Sequence, residues 1–430
     1  MSDLSAAEEA ARDGAALAPF RVRSYRFQWP ADLTTSWAFE METLILGWYV
    51  LVETGSVLML TAFASLQYLG TLVAPLFGLA GDRLGHRNVL CMMRALYATL
   101  AAVMMALAFS GTIRPLYVFC IACLTGIVRP SDLVMRASLV GSTMPPRQWM
   151  RAMSISRTTM DSARIAGALA GASLAAAMGM GIAYAVVTCL YVGSFLLTLG
   201  VDAARPAAPV PEGERAAGVS HWRDLQDGFA HVWNTPQLLG VMWLAFLVNL
   251  TGFPLVNGLM PYVAKEIHQS GQSGLALLVA SSATGALLGS IVLTRMGRLF
   301  PPARMMLVCA VAWFVFLMVF AQMTTPWAGM MVLLFSGFVQ SLTMVVMSVV
   351  LLRCSDERFR GRITGIRMFA IYGLPLGLLA AGQLITYIGY PATATLYCMI
   401  GIVFTIVIAL RWGSELWSAR APANVIGGAA

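Results

Sequence analysis

The sequence predicts an all-α membrane protein, with twelve transmembrane helices in two pseudo-symmetric six-helix bundles and both termini in the cytoplasm. Three observations carry that expectation. Hydrophobic residues make up 59% of the chain and charged residues 11%; with a mean hydropathy of +0.75, this describes a chain mostly in lipid rather than two or three soluble domains. Apolar stretches near the ~20 residues needed to cross a bilayer fall six before and six after one polar break. The basic residues sit in short loops between these stretches, not in a stripe or tail. That pattern is one of membrane orientation and argues against nucleic acid, despite a net charge of +8.

In chain order, residues 1–28 form a polar tail carrying Arg12, Arg21, Arg23 and Arg26, without a cleavable signal pattern, and are expected to stay in the cytoplasm. The first bundle, residues 29–203, holds spans near 30–52, 56–80, 88–110, 115–143, 152–177 and 182–202. The break at 204–235 opens with a Pro- and Ala-rich linker. It then becomes amphipathic, with Trp222, Leu225, Phe229 and Val232 on one face, as expected of a helix lying on the membrane surface. The second bundle, residues 236–412, holds spans near 236–262, 274–296, 305–323, 327–352, 363–388 and 391–412, and residues 413–430 form a second cytoplasmic tail. Orientation follows from the loops. Arg83, Arg87, Arg147, Arg151, Arg295, Arg298, Arg304, Arg353, Arg358, Arg360 and Arg362 occupy the inner ones, against Arg114 and Lys265 outside.

A charge near a helix centre costs ~2.5–3.5 kcal/mol on insertion scales, so it is paired, faces water, or both. The first span carries Asp32, Glu40 and Glu42. The fourth carries Arg129, Asp132 and Arg136, and the fifth Arg157, Asp161 and Arg164. Within each Arg–Asp–Arg series the i, i+3 and i+4 spacings place the three on one face. One reading is a clamp between the fourth and fifth helices or a latch at the inner gate; the other turns Arg129 into a cavity to meet substrate. Glu40 and Glu42 lie about 200° apart around the helix, so one faces the cavity and the other a neighbour. A cavity carboxylate there is a candidate proton carrier, whereas one paired to Arg129 or Arg164 is structural. The spans of the second bundle have almost no charges in their interiors and offer Asn249, Asn257, Gln340 and Gln383 instead. Cys120 and Cys123 form a C-x-x-C at membrane depth with no further Cys or His ligand nearby, and read as small buried side chains.

Between the second and third spans lies GLAGDRLGHRNVL, residues 78–90, a polar hairpin that must cap two membrane helices at one bilayer face. Gly78, Asp82, Arg83, Gly85, Arg87 and Leu90 match G-x-L-a-D-R-x-G-R-[RK]-x-x-L, with His86 in a usually basic position. The stretch thus resembles the loop between helices 2 and 3 of the major facilitator superfamily. The hairpin at 289–304 is similar to a decayed copy, keeping Gly297 and Arg298. In the fifth span Gly167 and Gly171 resemble the family's antiporter motif G-x-x-x-G-P-x-x-G-G, although Ala163, Ala168 and Ala172 replace its first Gly, its Pro and its last Gly. Residues 46–56, 223–238 and 360–382, and Arg164 before Gly167, are similar to the macrolide-efflux and enterobactin-exporter-like branch.

The resemblance implies a major facilitator fold, alternating access and export of organic molecules. The expectation is a proton-coupled exporter of a small drug-like or siderophore-like molecule in a bacterial inner membrane, working as a monomer without a cofactor. Glu42, Glu40 and Asp32 are the candidates for proton coupling. Arg129, Asn249, Asn257, Gln340 and Gln383 are those for substrate. Gly78, Asp82, Arg83, Gly85 and Arg87, with Asp132, Arg136, Arg157, Asp161, Arg164, Gly167 and Gly171, are those for gating and the charge network. No Walker loop or H-E-x-x-H occurs, which argues against ATP-driven transport and zinc hydrolysis. Two alternatives stand beside this one: a symporter importing an organic anion, and a non-transporting membrane receptor or assembly factor.

Overall fold

The structure is a computed structural model that describes residues 18–71, 73–202, 230, 232–296, 302–353 and 369–418. Every regular element among them is helical. They are α1 (Arg23–Thr54), α2 (Val57–Leu66), α3 (Ala74–Leu84), α4 (His86–Phe109), α5 (Pro115–Thr143) and α6 (Pro146–Leu199), then α7 (Pro236–Ile267), α8 (Gln272–Met296), α9 (Pro302–Ala321), α10 (Pro326–Arg353), α11 (Gly373–Ile388) and α12 (Tyr390–Ser418). Proline opens α5, α6, α7, α9 and α10, where its fixed φ suits the first turn and its missing N–H has no helical partner to lose. Among the described residues, eight helical segments are long and apolar enough to cross a membrane, and Val57–Thr71 and Gly373–Ile388 are shorter apolar ones. Trp222 to Phe229, Gly297, Arg298 and the loop from 354 to 368 lie outside the described residues.

The helices depart from the expected spans in two places. The second is α2, a 3-10 turn at Leu69–Thr71, and then α3. The fifth and sixth run together as α6, 54 residues interrupted at Gly179, whose φ of 81° and ψ of 170° lie outside the helical region and suit a residue without Cβ.

The chain forms two compact units. One holds the residues up to Thr54 and those from Leu66 to the linker; the other holds Gly55–Ser65 and the helices from α7 onward. Within the second unit α2 packs on α11, where Ser65 Oγ donates to Pro375 O at 3.2 Å and Gly382 lies against Thr61.

Both units use the same two contact devices. In the first, a Cβ on Gly167 of α6 would reach Glu40 Cβ at 2.8 Å, and one on Gly171 would reach Met41 Cα at 2.8 Å, so α1 lies backbone-close on α6. In the second, Gly373 and Gly377 of α11 do the same to α7: a Cβ on Gly373 would reach Phe246 O at 2.8 Å, and one on Gly377 would overlap Leu250 O. Pro254 explains that site. It has no N–H for the carbonyl four residues earlier, which is that of Leu250, and the helix widens into a π turn at Val248–Gly252. The other device is a reciprocal glycine pair. Gly126 of α5 meets Leu66 O while Gly70 meets Ile127 O; in the second unit Gly285 of α8 meets Leu334 O while Gly337 of α10 meets Ser282 O.

Candidate functional site

The polar chemistry of the first unit is built around α1, which buries Gln28, Asp32, Thr35, Ser36 and Glu42. These residues are legible as a site because nothing in hydrocarbon would solvate them, so each must find a partner inside the protein.

Asp32 is held by two guanidinium groups. Arg94 of α4, fully buried, forms an ion pair with Asp32 Oδ1 and donates to Thr198 Oγ1 of α6. Arg136 of α5 brings Nε to 3.6 Å from Asp32 Oδ1, and its Nη1 donates to Asp32 O at 3.2 Å and Ser36 Oγ at 2.9 Å. The same Arg136 Nε lies 2.5 Å from Oδ2 of Asp132, a turn earlier on α5 and fully buried. Two acids and two guanidinium groups thus make a neutral quartet across α1, α4 and α5. Any one of them buried alone would carry a desolvation cost of several kcal/mol. Gln28 Nε2 donates to Arg136 O at 3.0 Å and joins the start of α1 to the quartet.

Glu42 is handled differently. It is 7% exposed, and Tyr191 of α6 donates its hydroxyl to Glu42 Oε2 at 2.8 Å. No ion pair reaches it among the described residues, unlike Asp32 and Asp132. Glu40, half-buried on the other side of α1, lies 3.9 Å from Arg164 Nε, and its Cβ faces Gly167.

Arg129 does not pair with Asp132, although the i, i+3 spacing allows it. Its Nη1 donates to Thr43 Oγ1 at 2.9 Å and Gln67 Oε1 at 2.6 Å, and its guanidinium lies 4.5 Å from the centre of the Phe39 ring. Thr43, Gln67 and Phe39 are all uncharged. On α6, Arg157 pairs with Asp161 at 3.3 Å while remaining 65% exposed. A cavity of about 270 Å³ opens between α1, α5 and α6, with Asp32, Ser36, Arg136, Arg157, Trp29 and Met160 in its wall.

In the hairpin, Gly85 at φ 86° ends α3 and its amide donates to Gly81 O at 2.9 Å. Arg83 is exposed and Gly78 half-buried. Asp82 falls in the last turn of α3. Arg87 reaches the C-terminal end of α6, donating to Leu199 O at 2.5 Å and Thr198 O at 3.5 Å, where the last carbonyls lack helical partners. In the second unit Asn249 donates to Ala245 O at 2.8 Å, Asn257 is half-buried, Gln340 is buried, and exposed Gln383 donates to Tyr387 Oη at 3.3 Å.

Sequence reasoning missed Arg94, Gln67 and Tyr191. Arg94 was findable, as the one charge between residues 88 and 110. Gln67 and Tyr191 carry no such signal, since an uncharged polar residue in an apolar span is ordinary.

The Major Facilitator Superfamily family model matches residues 33–254 and 242–424. No curated protein sequence matches the chain. Among solved structures, the POT family transporter PepTSo is similar, with a TM-score of 0.70 and 13% identity over 93% of this chain and 99% of that one. The nucleoside transporter NupG gives 0.65 and 15% over 92% and 100%. The human organic anion transporter MFSD10 gives 0.61 and 15% over 90% and 99%. At these identities the likeness is one of fold.

Proposed function

The chain belongs to the Major Facilitator Superfamily, and from that premise we propose that this multi-pass membrane transporter is a proton-coupled exporter of a small organic molecule. In this reading it crosses the membrane twelve times, with both termini in the cytoplasm of a bacterium, and alternates access as a monomer. The helix 1 carboxylate Glu42 carries the proton, and Arg129 with Asn249, Asn257, Gln340 and Gln383 orients the substrate. The inner hairpin with Asp82, Arg83 and Arg87 latches the gate. One observation supports the choice of carrier. Glu42 is buried against a hydroxyl and has no ion pair among the described residues, whereas Asp32 and Asp132 are balanced by Arg94 and Arg136. A carboxylate balanced by guanidinium groups keeps its charge; one balanced by a hydroxyl can load and unload a proton, as acids in membrane relays do.

A thermal-stability screen of the purified protein across drugs, siderophores and organic acids would find a substrate, and inside-out vesicles then give the direction of transport. Glu42→Gln is expected to abolish pH-gradient-driven accumulation of the stabilising compound while leaving its binding in place. Unchanged accumulation removes Glu42 from the mechanism.

A second reading, import of an organic anion, is favoured by Arg129, a cation in contact with the neutral groups of Thr43, Gln67 and Phe39. The organic anion transporter MFSD10, similar in fold, lends it company. Stabilisation by carboxylates that Arg129→Gln removes, with accumulation in right-side-out vesicles, would select it.

A further inference from the structure

We propose that Tyr191 is a positioning residue for Glu42: its hydroxyl fixes the carboxylate against α6 and governs how it exchanges a proton. The inference rests on Glu42 being the proton carrier, and it names the partner that tunes it.

The geometry is specific. The 2.8 Å bond from Tyr191 Oη to Glu42 Oε2 joins α1 to the part of α6 that follows the break at Gly179. Both side chains are buried. The tyrosine ring cannot swing away, since Phe39 meets it edge-on with centroids 5.7 Å apart and Tyr97 lies 5.6 Å away on α4. The neighbouring ionisable groups are few. From α6, Tyr184 lies two turns before Tyr191 on the same face, fully buried, its hydroxyl without a hydrogen-bond partner among the described residues. From α5, Arg129 lies within electrostatic reach of Glu42 but donates to Thr43 and Gln67. From α4 comes Tyr97. Among the described residues, Tyr191 is thus the hydrogen-bond donor to the carboxylate.

A hydrogen bond donated to a carboxylate is stronger when the acceptor is ionised. Tyr191 therefore favours the anion and eases proton release. When Glu42 is protonated the bond weakens, and α1 is less tightly tied to the second half of α6. Loading and unloading the proton then alters the contact between two helices of one unit without moving any fixed ion pair.

The test needs no substrate. Infrared difference titration of the full-length protein in lipid nanodiscs follows the carbonyl stretch of protonated carboxyl groups. The band that Glu42→Gln removes is that of Glu42. Tyr191→Phe keeps the ring and loses only the hydroxyl. It should move the midpoint of that band to higher pH by about one to two units, the size of a hydrogen bond to a charged group. Tyr97→Phe removes a hydroxyl from the same aromatic cluster without touching Glu42 and should leave the midpoint in place. An unmoved midpoint in Tyr191→Phe, or an equal shift in Tyr97→Phe, overturns the role of Tyr191. If Glu42→Gln removes no titrating band, Glu42 carries no proton and both the inference and the reading beneath it fall.

Discussion

Asp32 and Arg94 meet between α1 and α4 with the guanidinium fully shielded from solvent and the carboxylate side chain 10% exposed. The pair lies ten residues along α1 from Glu42, and the two acids have partners of opposite kind. That contrast shapes what each can do. Asp32 is ion-paired to two arginines, whereas Glu42 accepts a hydrogen bond from a tyrosine hydroxyl.

Arg94→Leu should be among the most damaging single substitutions in the first unit. It leaves Asp32 with Arg136 alone at 3.6 Å, and breaking a buried pair costs about 3–5 kcal/mol. Thermal unfolding in detergent should show a large loss of Tm. The double variant Asp32→Asn with Arg94→Leu should recover much of it, because no uncompensated charge remains. A double variant as unstable as the single one would mean that Arg94 acts by packing.

Gly171→Val should separate α1 from α6. The contact with Met41 leaves no room even for a Cβ, at 2.8 Å from backbone, and overpacking of this kind costs about 1–3 kcal/mol. Gly377→Val should do the same to α7 and α11 in the second unit. Reduced yield and Tm in both, with Gly193→Val harmless because nothing lies within 4 Å of it, would check the shared device.

Arg87→Ala should act locally. Its bonds go to the last carbonyls of α6 at a partly exposed site, where such contacts are worth about 0.3–1 kcal/mol. Global Tm should barely move, while amide hydrogen exchange in the last turn of α6 and at Gly200 should quicken. Unchanged exchange would show that the cap does not hold the helix end.

His268 should make stability depend on pH. It follows α7 in the connection to α8, and burial lowers its pKa below the usual imidazole value, with Nε2 bonded to Met323 O at 3.1 Å. Above about pH 6.5, the ordinary value, the imidazole is neutral folded or unfolded and contributes nothing. As the pH falls from there through the lowered value, the unfolded chain takes a proton that the folded one resists, so stability drops; below the lowered value the loss is complete. His268→Gln keeps a donor toward Met323 and should flatten that part of the pH–Tm curve. An equal slope in the variant would place the titrating group elsewhere.

The residues that could be read ahead were those whose cost is paid locally. A charge in an apolar span announces itself, as Asp32, Glu42, Asp132 and Arg136 did, because no position in lipid suits it. Partner choice was not legible. Spacing along α5 allowed Arg129 to share a face with Asp132, yet its donors point to Thr43 on α1 and to Gln67, and its plane lies over Phe39. Gly167 and Gly171 were visible as a close-packing pair, but that they receive Glu40 and Met41, and that Gly373 and Gly377 repeat the device on α7, depends on which helices lie side by side.

From its sequence alone this protein is a multi-pass helical membrane protein with acids and arginines concentrated in its first half, because hydropathy, loop charge and helical spacing are properties of the chain itself. Only the tertiary structure decided which acid is neutralised and which is merely hydrogen-bonded. Arg94 and Tyr191 lie 62 and 149 residues from the acids they hold. Such contacts are set by the rotation and depth at which packed helices meet, and no local pattern encodes those.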